Sequence, residues 1–232
     1  LFCFRDHREG GVDPGVRVDV AFTDSSIDLQ GLRPAFADEL PRLEQVCGVR
    51  FARVNQVHGD DVLLATEPGP APTDVVETAD GIVTTTPGLG LMVRVADCVP
   101  VLLADVDRLV LGVAHAGRHG VTLGVVTRVV RQMRDQGAER IAAWVGPHVC
   151  GRCYEVPEQM RAEVAAVVPE TWAETSWGTP ALDLGAGVRA QLAAEGIAPT
   201  EVGLCTLEHD TLHSYRRDGA DAGRLAGLVW TT

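Results

Sequence analysis

The sequence has no basic excess. Its 20 basic residues stand against 32 acidic ones, for a net charge of −12. A nucleic-acid binder needs a cationic footprint to displace counterions from phosphate, and a membrane-surface protein needs a polybasic patch. The charge balance argues against both partners, although a global count does not locate charge and a local basic pocket stays open. Long hydrophobic runs are also missing: no apolar stretch approaches the roughly 18–20 residues that span a bilayer. The opening LFCFRDHREGG lacks an initiating Met and is too short and too quickly charged to read as a signal peptide. Cysteine is sparse. Six residues (Cys3, Cys47, Cys98, Cys150, Cys153 and Cys205) scattered over 232 do not make a disulfide framework, so the expected setting is reducing and cytoplasmic. No internal repeat of fixed period is present.

What is there is ordinary for a globular protein: 46% hydrophobic and 22% charged residues. The length is ample for a buried core, and the expectation is one domain over residues 1–232. Apolar runs bounded by turn residues predict strands over 17–22, 51–54, 63–66, 81–85, 91–95, 99–105, 108–114, 141–146, 201–206 and 224–230. Residues 81–85 and 91–95 read as a pair around the TPGLG turn, and 99–105 and 108–114 as a pair joined tightly at Asp107. Helices are predicted over 34–48, with an interruption at Pro41, and over 121–136. In the latter, Val125, Val126, Val129, Val130 and Met133 share a face and Gly137 serves as cap. Two more are predicted over 157–168, opening on Pro157, and 183–196, with Asp183 as N-cap and Gly196 as stop. The proline-rich stretch 66–78 reads as a surface loop. Strands outnumber helices and are often joined by tight turns, which points to α+β with mixed sheet.

Three segments place chemistry where a strand gives way to a turn: His58 in NQVHGDD, Cys98 in VADCVPVLL and His115 in VAHAGRHG. Taken singly, each is a satisfied structural residue. Together they fit two chemistries. One is a zinc site with three protein ligands and an open fourth position. The other is a hydrolase with Cys98 as nucleophile and His115 as its base. The AGRHG turn after His115 has the order strand, glycine turn, helix, which can present backbone N–H groups to an anion, with Arg118 as a charged donor. It is not a P-loop, having neither the Lys nor the spacing. The lone C-x-x-C at Cys150 and Cys153 has no second pair and reads as structural. HSYRRDG offers Arg216 and Arg217 before a turn, either as a solvated loop or as a substrate grip.

QVHG, ADCVPVLLAD, VAHAG..G, VGP....CYEV and SYRRD....GR.AG occur in this order, from about Asn55 to the C-terminus, with a weak echo in REGGV near the start. This set resembles the laccase-domain family, described both as multicopper polyphenol oxidoreductases and as purine nucleoside phosphorylases. The resemblance implies an α+β fold of two packed mixed β-sheets flanked by helices, similar to the catalytic domain of cytotoxic necrotizing factor toxins. It implies zinc on His58, Cys98 and His115, which would also be the catalytic residues. It further implies phosphorolysis of adenosine, inosine, guanosine and methylthioadenosine, with adenosine deamination as a second activity. Phosphorolysis needs an anion site and charge stabilisation at the departing purine. Gln56, Arg118, His119, Arg216 and Arg217 are the candidate substrate- and phosphate-binding residues, with Arg152 a further basic candidate. The expected partners are a small-molecule nucleoside and phosphate, in a monomer or small homo-oligomer. The alternatives are the Cys98/His115 hydrolase, a copper-binding polyphenol oxidoreductase, and a non-catalytic metal-binding relative. A full multicopper oxidase needs about ten His plus a Cys, and the chain has 7 His; copper at the His/Cys site remains chemically credible. The family pattern HAGWRG reads HAGRHG here, so Arg118 and His119 replace a Trp-Arg pair, and GPCCYEV reads CGRCYEV.

Overall fold

A computed structural model describes residues 1–11 and 15–232; Val12 of the REGGV segment lies outside the described residues. Two sheets form the body. The first has five strands, in the order β1 (Phe2–Glu9), β2 (Arg17–Thr23), β13 (Leu225–Thr231), β6 (Leu89–Val95) and β3 (Arg50–Ala52). The second has six: β12 (Thr200–Glu201), β9 (Ala142–Val145), β7 (Val99–Asp105), β8 (Val110–Ala116), β5 (Gly81–Thr84) and β4 (Val62–Leu64). Both are mixed. β3 runs parallel to β6, β4 to β5 and β12 to β9, while the central pairs are antiparallel. A separate hairpin joins β10 (Trp172–Glu174) to β11 (Pro180–Leu182).

The sheets pack face to face through Val20, Phe22, Leu91, Leu102, Val113 and Trp144, all buried. Each such aliphatic or aromatic side chain contributes about 1.5–3 kcal/mol by leaving water. The outer face of the six-stranded sheet is covered by α3 (Val125–Asp135), α4 (Glu158–Val167) and α5 (Leu184–Ala194); that of the five-stranded sheet by α1 (Phe36–Cys47). The central strands are buried on both faces, which is why their sequences read as continuous apolar runs rather than alternating ones. Among the described residues, no helix is long and apolar enough to cross a membrane. The α+β architecture of two packed mixed sheets flanked by helices is as expected from sequence.

Several expected elements differ. Residues 81–85 and 91–95 do not pair: β5 belongs to the six-stranded sheet and β6 to the five-stranded one, so the TPGLG segment crosses between sheets. Neither run alternates in polarity, so nothing in them marked the crossing. The helix predicted over 121–136 is two helices, α2 (Arg118–Leu123) and α3, because Gly124 turns left-handed at φ 80° and caps α2. The five apolar residues predicted to share a face are all buried on α3, and Gly137 follows it at φ 92°. α1 runs unbroken through Pro41. A proline there leaves the carbonyl of Ala37 without its helical donor, and Ala37 is an exposed residue. Pro157 sits at the N-cap of α4 rather than inside it. Asp183 caps α5 as expected, accepting from the Ala186 amide at 2.7 Å. The run 201–206 is mostly turn: only Thr200–Glu201 pair as a strand, with an isolated bridge between His148 and Cys205. Strand β1 was not anticipated. It is an edge strand whose pattern is broken by Arg5, Asp6, Arg8 and Glu9.

Candidate active site

Strand periodicity aims His115. In β8, Leu111 and Val113 face the intersheet core, and His115, two residues on, continues that face at the strand's end. Its partner across the ladder is Pro100, next to the start of β7, and Cys98 immediately precedes that strand. His58 reaches the same place from the segment between β3 and β4, at the left-handed φ of 66°. The ligating atoms of His58, Cys98 and His115 all lie within 4.8 Å of one another. Cys98 Sγ is 3.7 Å from His58 Nε2, and the two imidazole centroids are 4.8 Å apart. The structure therefore brings together the three residues that sequence placed at separate strand ends.

Asp80, just before β5, organises this cluster, and sequence reading did not single it out. Its buried carboxylate accepts from the amides of Val57 (3.2 Å), His58 (2.9 Å) and Gly59 (2.7 Å). It also receives His115 Nδ1 at 2.7 Å. One carboxylate thus fixes the backbone under His58 and the ring of His115, leaving His115 Nε2 to face the cluster. Burial opposes charge on Asp80, but His115 and the amides outweigh it and hold the carboxyl below its usual range. Burial also opposes the Cys98 thiolate. The field and hydrogen bonds of His115 and His58 prevail, and the thiol falls to about 6. His115 mirrors it: burial disfavours the cation, but the Cys98 thiolate and Asp80 raise it to about 9. Both directions favour a thiolate beside an imidazolium.

The donor set fits a zinc-type ion. Two imidazoles and a thiolate suit zinc, and copper with them, and Asp80 is the carboxylate that such histidines usually carry behind them. Gly117 leaves room for the cluster: a Cβ there would stand 2.5 Å from His58 Cδ2 and 3.1 Å from Cys98 Sγ.

The cluster opens onto a cavity of about 1190 Å³. Of the basic candidates, Arg118, His119 and Arg216 line it. Arg118 and His119 form the first turn of α2, with Arg118 Nη2 3.0 Å from His119 Nε2. Arg216 stacks on Tyr154 at 4.9 Å, and its amide donates to Asp97 at 2.6 Å. Gln56 lines the cavity, but its amide is spent on the Arg94 backbone, donating to O at 2.6 Å and accepting from N at 2.8 Å. Arg217 does not face the cavity. Its guanidinium donates to the carbonyls of Leu212 (2.6 Å), Thr206 (3.1 Å) and His209 (3.3 Å). Arg152 is exposed and lies 3.8 Å from Glu208. Three arginines outside the expected set, Arg53, Arg94 and Arg224, also line the cavity. Burial, with Arg53 and Arg224 adding to it, brings the Arg94 guanidinium down to about 10. A charged residue inside the apolar run LMVRVA was the available signal. The loop 66–78 supplies part of the wall through Pro72, Asp74 and Val76.

Residues 3–232 match the model of the family described as multi-copper polyphenol oxidoreductase laccase. The chain belongs to this family. Among curated relatives of this laccase-like family, "Purine nucleoside phosphorylase ORF3" of Streptomyces griseus is 54% identical over 180 residues, 76% of this chain and 72% of its own. "Purine nucleoside phosphorylase SCO2081" of Streptomyces coelicolor is 55% identical over 190 residues, 79% of this chain and 77% of its own. Among solved structures, YlmD from Geobacillus stearothermophilus superposes with a TM-score of 0.81 at 26% identity, covering 92% of this chain and 91% of its own. Family and relatives together support an enzyme.

Proposed function

We propose that this protein is a zinc-dependent purine nucleoside phosphorylase, with adenosine deaminase activity in the same cavity, and that the whole chain acts as one catalytic domain. The observation that carries the reading is the His58–Cys98–His115 cluster, backed by Asp80, at the wall of a cavity large enough for a nucleoside. The names of the Streptomyces relatives support it.

His58, Cys98 and His115 would hold the ion, which supplies Lewis acidity at an open coordination position when bound. Asp80 keeps His115 in the tautomer that presents Nε2 to the cluster. Arg118 and Arg216 line the cavity beside Tyr154 and Cys98 and would bind and orient phosphate. In the transfer, a phosphate oxygen forms a bond to C1′ of the sugar while the C1′–N9 bond breaks. The purine leaves with the bonding pair and takes up a proton. Tyr154, partly buried beside Cys98, Arg216 and Arg118, offers an aromatic wall that excludes water from this step. Adenosine, inosine, guanosine and methylthioadenosine share the N-glycosidic bond and are the proposed substrates.

The thiolate–imidazolium pair of Cys98 and His115 also has the makeup of a cysteine nucleophile with its base. Zinc analysis and turnover separate the readings. Protein purified without chelator is incubated with each nucleoside, with and without phosphate. Phosphate-dependent base release that disappears on Cys98→Ala together with the ion of the His58–Cys98–His115 cluster supports the phosphorylase. Zinc-loaded protein that turns over none of the four nucleosides under either condition refutes it. Hydrolytic turnover by metal-free protein favours the nucleophile.

A further inference from the structure

The C-x-x-C of CGRC, read from sequence as structural, has partners in the fold. Cys205 and Glu208, in CTLE, repeat the same spacing 55 residues later in the chain. A parallel bridge between His148 and Cys205 sets the two segments side by side: the His148 amide donates to Leu204 O at 3.2 Å and the Thr206 amide to His148 O at 3.0 Å. Each segment then folds into a tight turn. The Cys153 amide donates to Cys150 O at 2.9 Å, and the His209 amide to Cys205 O at 3.2 Å. The result puts Cys150, Cys153, Cys205 and Glu208 together, with one donor atom of each within 4.8 Å of all the others. All six cysteines of the chain are free thiols.

We propose that these four residues form a second, structural metal site, closed by three thiolates and one carboxylate and selective for zinc. Three observations carry it. First, the donor chemistry: soft thiolates select zinc over magnesium or calcium, and four protein donors leave no open position. Second, the dimensions: zinc–sulfur bonds of about 2.3 Å put tetrahedral donors about 3.8 Å apart, so each donor needs to move inward by only about half an ångström. Cys153 Sγ already lies 3.5 Å from Glu208 Oε1. Third, a backbone donor already faces one of the sulfurs: the Cys150 amide donates to Cys205 Sγ at 3.3 Å. Cys153 and Cys205 are buried and Glu208 closes the exposed side.

The site would act by clamping two cavity-wall segments. Tyr154 follows Cys153 directly, and Thr206 follows Cys205 and donates to Asp97, the neighbour of Cys98, at 2.6 Å. Binding displaces the thiol protons to solvent and leaves every oxidation state unchanged.

The proposal does not depend on the catalytic reading and is tested apart from it. Zinc is counted by mass spectrometry in protein purified without chelator. One ion per chain is expected in Cys98→Ala, and Cys205→Ser should carry one ion fewer than the parent, which holds two where the catalytic reading also stands. Cobalt added to demetallated Cys98→Ala should give intense thiolate-to-metal charge transfer from the remaining three-thiolate site. That measurement leaves the cluster itself unaltered, so it decides even where Cys205→Ser fails to fold. Cys98→Ala that binds no zinc and gives no such band overturns the proposal. So does an intact mass, without reductant, lower by two hydrogens than the reduced chain, with the bond mapped among Cys150, Cys153 and Cys205.

Discussion

Gly117→Ala tests the proposed metal cluster of His58, Cys98 and His115 with the least disturbance to the fold. Gly117 is the N-cap of α2, at φ −77° and ψ 176°, an extended conformation that alanine adopts without strain. Replacing a glycine N-cap by alanine costs on the order of 0.5–1 kcal/mol, and the reduced freedom of the unfolded chain returns about 0.4–1 kcal/mol. Global stability should therefore change by less than about 1 kcal/mol. The site should fare differently. The new methyl group would lie 2.5 Å from His58 Cδ2 and 3.1 Å from Cys98 Sγ, where ordinary contact begins at 3.4 Å. Cδ2 is bonded to Nε2, so relieving the clash moves the ligating nitrogen by nearly as much, about 1 Å. Metal sites tolerate about ±0.2 Å in ligand distance, and even disturbing the groups that orient a ligand costs about 10–100-fold in metal affinity.

The expected outcome is a zinc affinity lower by about 100-fold, equivalent to about 2.7 kcal/mol, in a protein whose urea midpoint is nearly that of the parent. Competition against a chromogenic chelator measures the first quantity and denaturant titration the second. Wild-type affinity in Gly117→Ala would refute the claim that the three residues close on one ion. A large loss of stability with unchanged affinity would show instead that the glycine serves α2.

Asp80→Asn keeps the shape but removes one of the two oxygens shared by three amides and His115. A buried donor left unpaired costs about 1–3 kcal/mol, so thermal denaturation should show a loss of that order, with zinc affinity falling about 10–100-fold. Arg118→Ala and Arg217→Ala should separate cleanly. The first should raise KM for phosphate at least about 10-fold with an unchanged denaturation midpoint. The second should lower stability by about 1–3 kcal/mol, through the carbonyls of Thr206, His209 and Leu212, and leave KM for phosphate alone. Asp28→Asn tests acid sensitivity away from either cluster: burial opposes the Asp28 charge, but the Gln30 and Arg224 amides and Arg33 overcome it and hold the carboxyl low. A folded-state value below the unfolded one gives stability that is present above about pH 4 and lost as pH falls through the folded value. The urea midpoints of parent and Asp28→Asn should therefore converge as the pH is lowered below about 4, and a constant gap would refute the assignment.

The sequence was most legible where one residue's chemistry and its place on a strand said the same thing. His58, Cys98 and His115 each interrupt an apolar run with a metal-binding side chain, and all three meet. The hairpin of β7 and β8 and the α5 cap at Asp183 were equally plain, because their turn and cap residues are local signals. What was hidden depends on distant partners. Asp80 looks like a turn residue before a strand; its weight comes from three amides around His58 and from His115, 35 residues on. CGRC looked isolated because Cys205 is 55 residues away from Cys150. The apolar run 201–206 suggested a strand, whereas Cys205 is held there by the turn at its own sulfur. Arg217 and Arg216 are adjacent and chemically alike, and only the fold shows that one guanidinium binds backbone while the other meets the cavity.

Asp97 ties the cavity wall to the His58–Cys98–His115 cluster. It holds a left-handed φ of 85° directly before Cys98, a conformation that costs a non-glycine residue on the order of 1 kcal/mol or more. Its carboxylate takes the Thr206 hydroxyl and the Arg216 amide, each at 2.6 Å, and its carbonyl takes the Val149 amide at 3.0 Å. The 205–208 turn, the start of α6 (Tyr215–Asp218) and the segment entering CGRC are thus all tied to the residue that sets Cys98. His115 and Asp80 stand on or beside strands of the six-stranded sheet, whose geometry the core enforces. Arg118 and His119 sit on a six-residue helix beyond that sheet. Substitution at those two positions can therefore reshape what the cavity accepts while His58, Cys98 and His115, held by Asp80 and Asp97, stay where the sheet puts them.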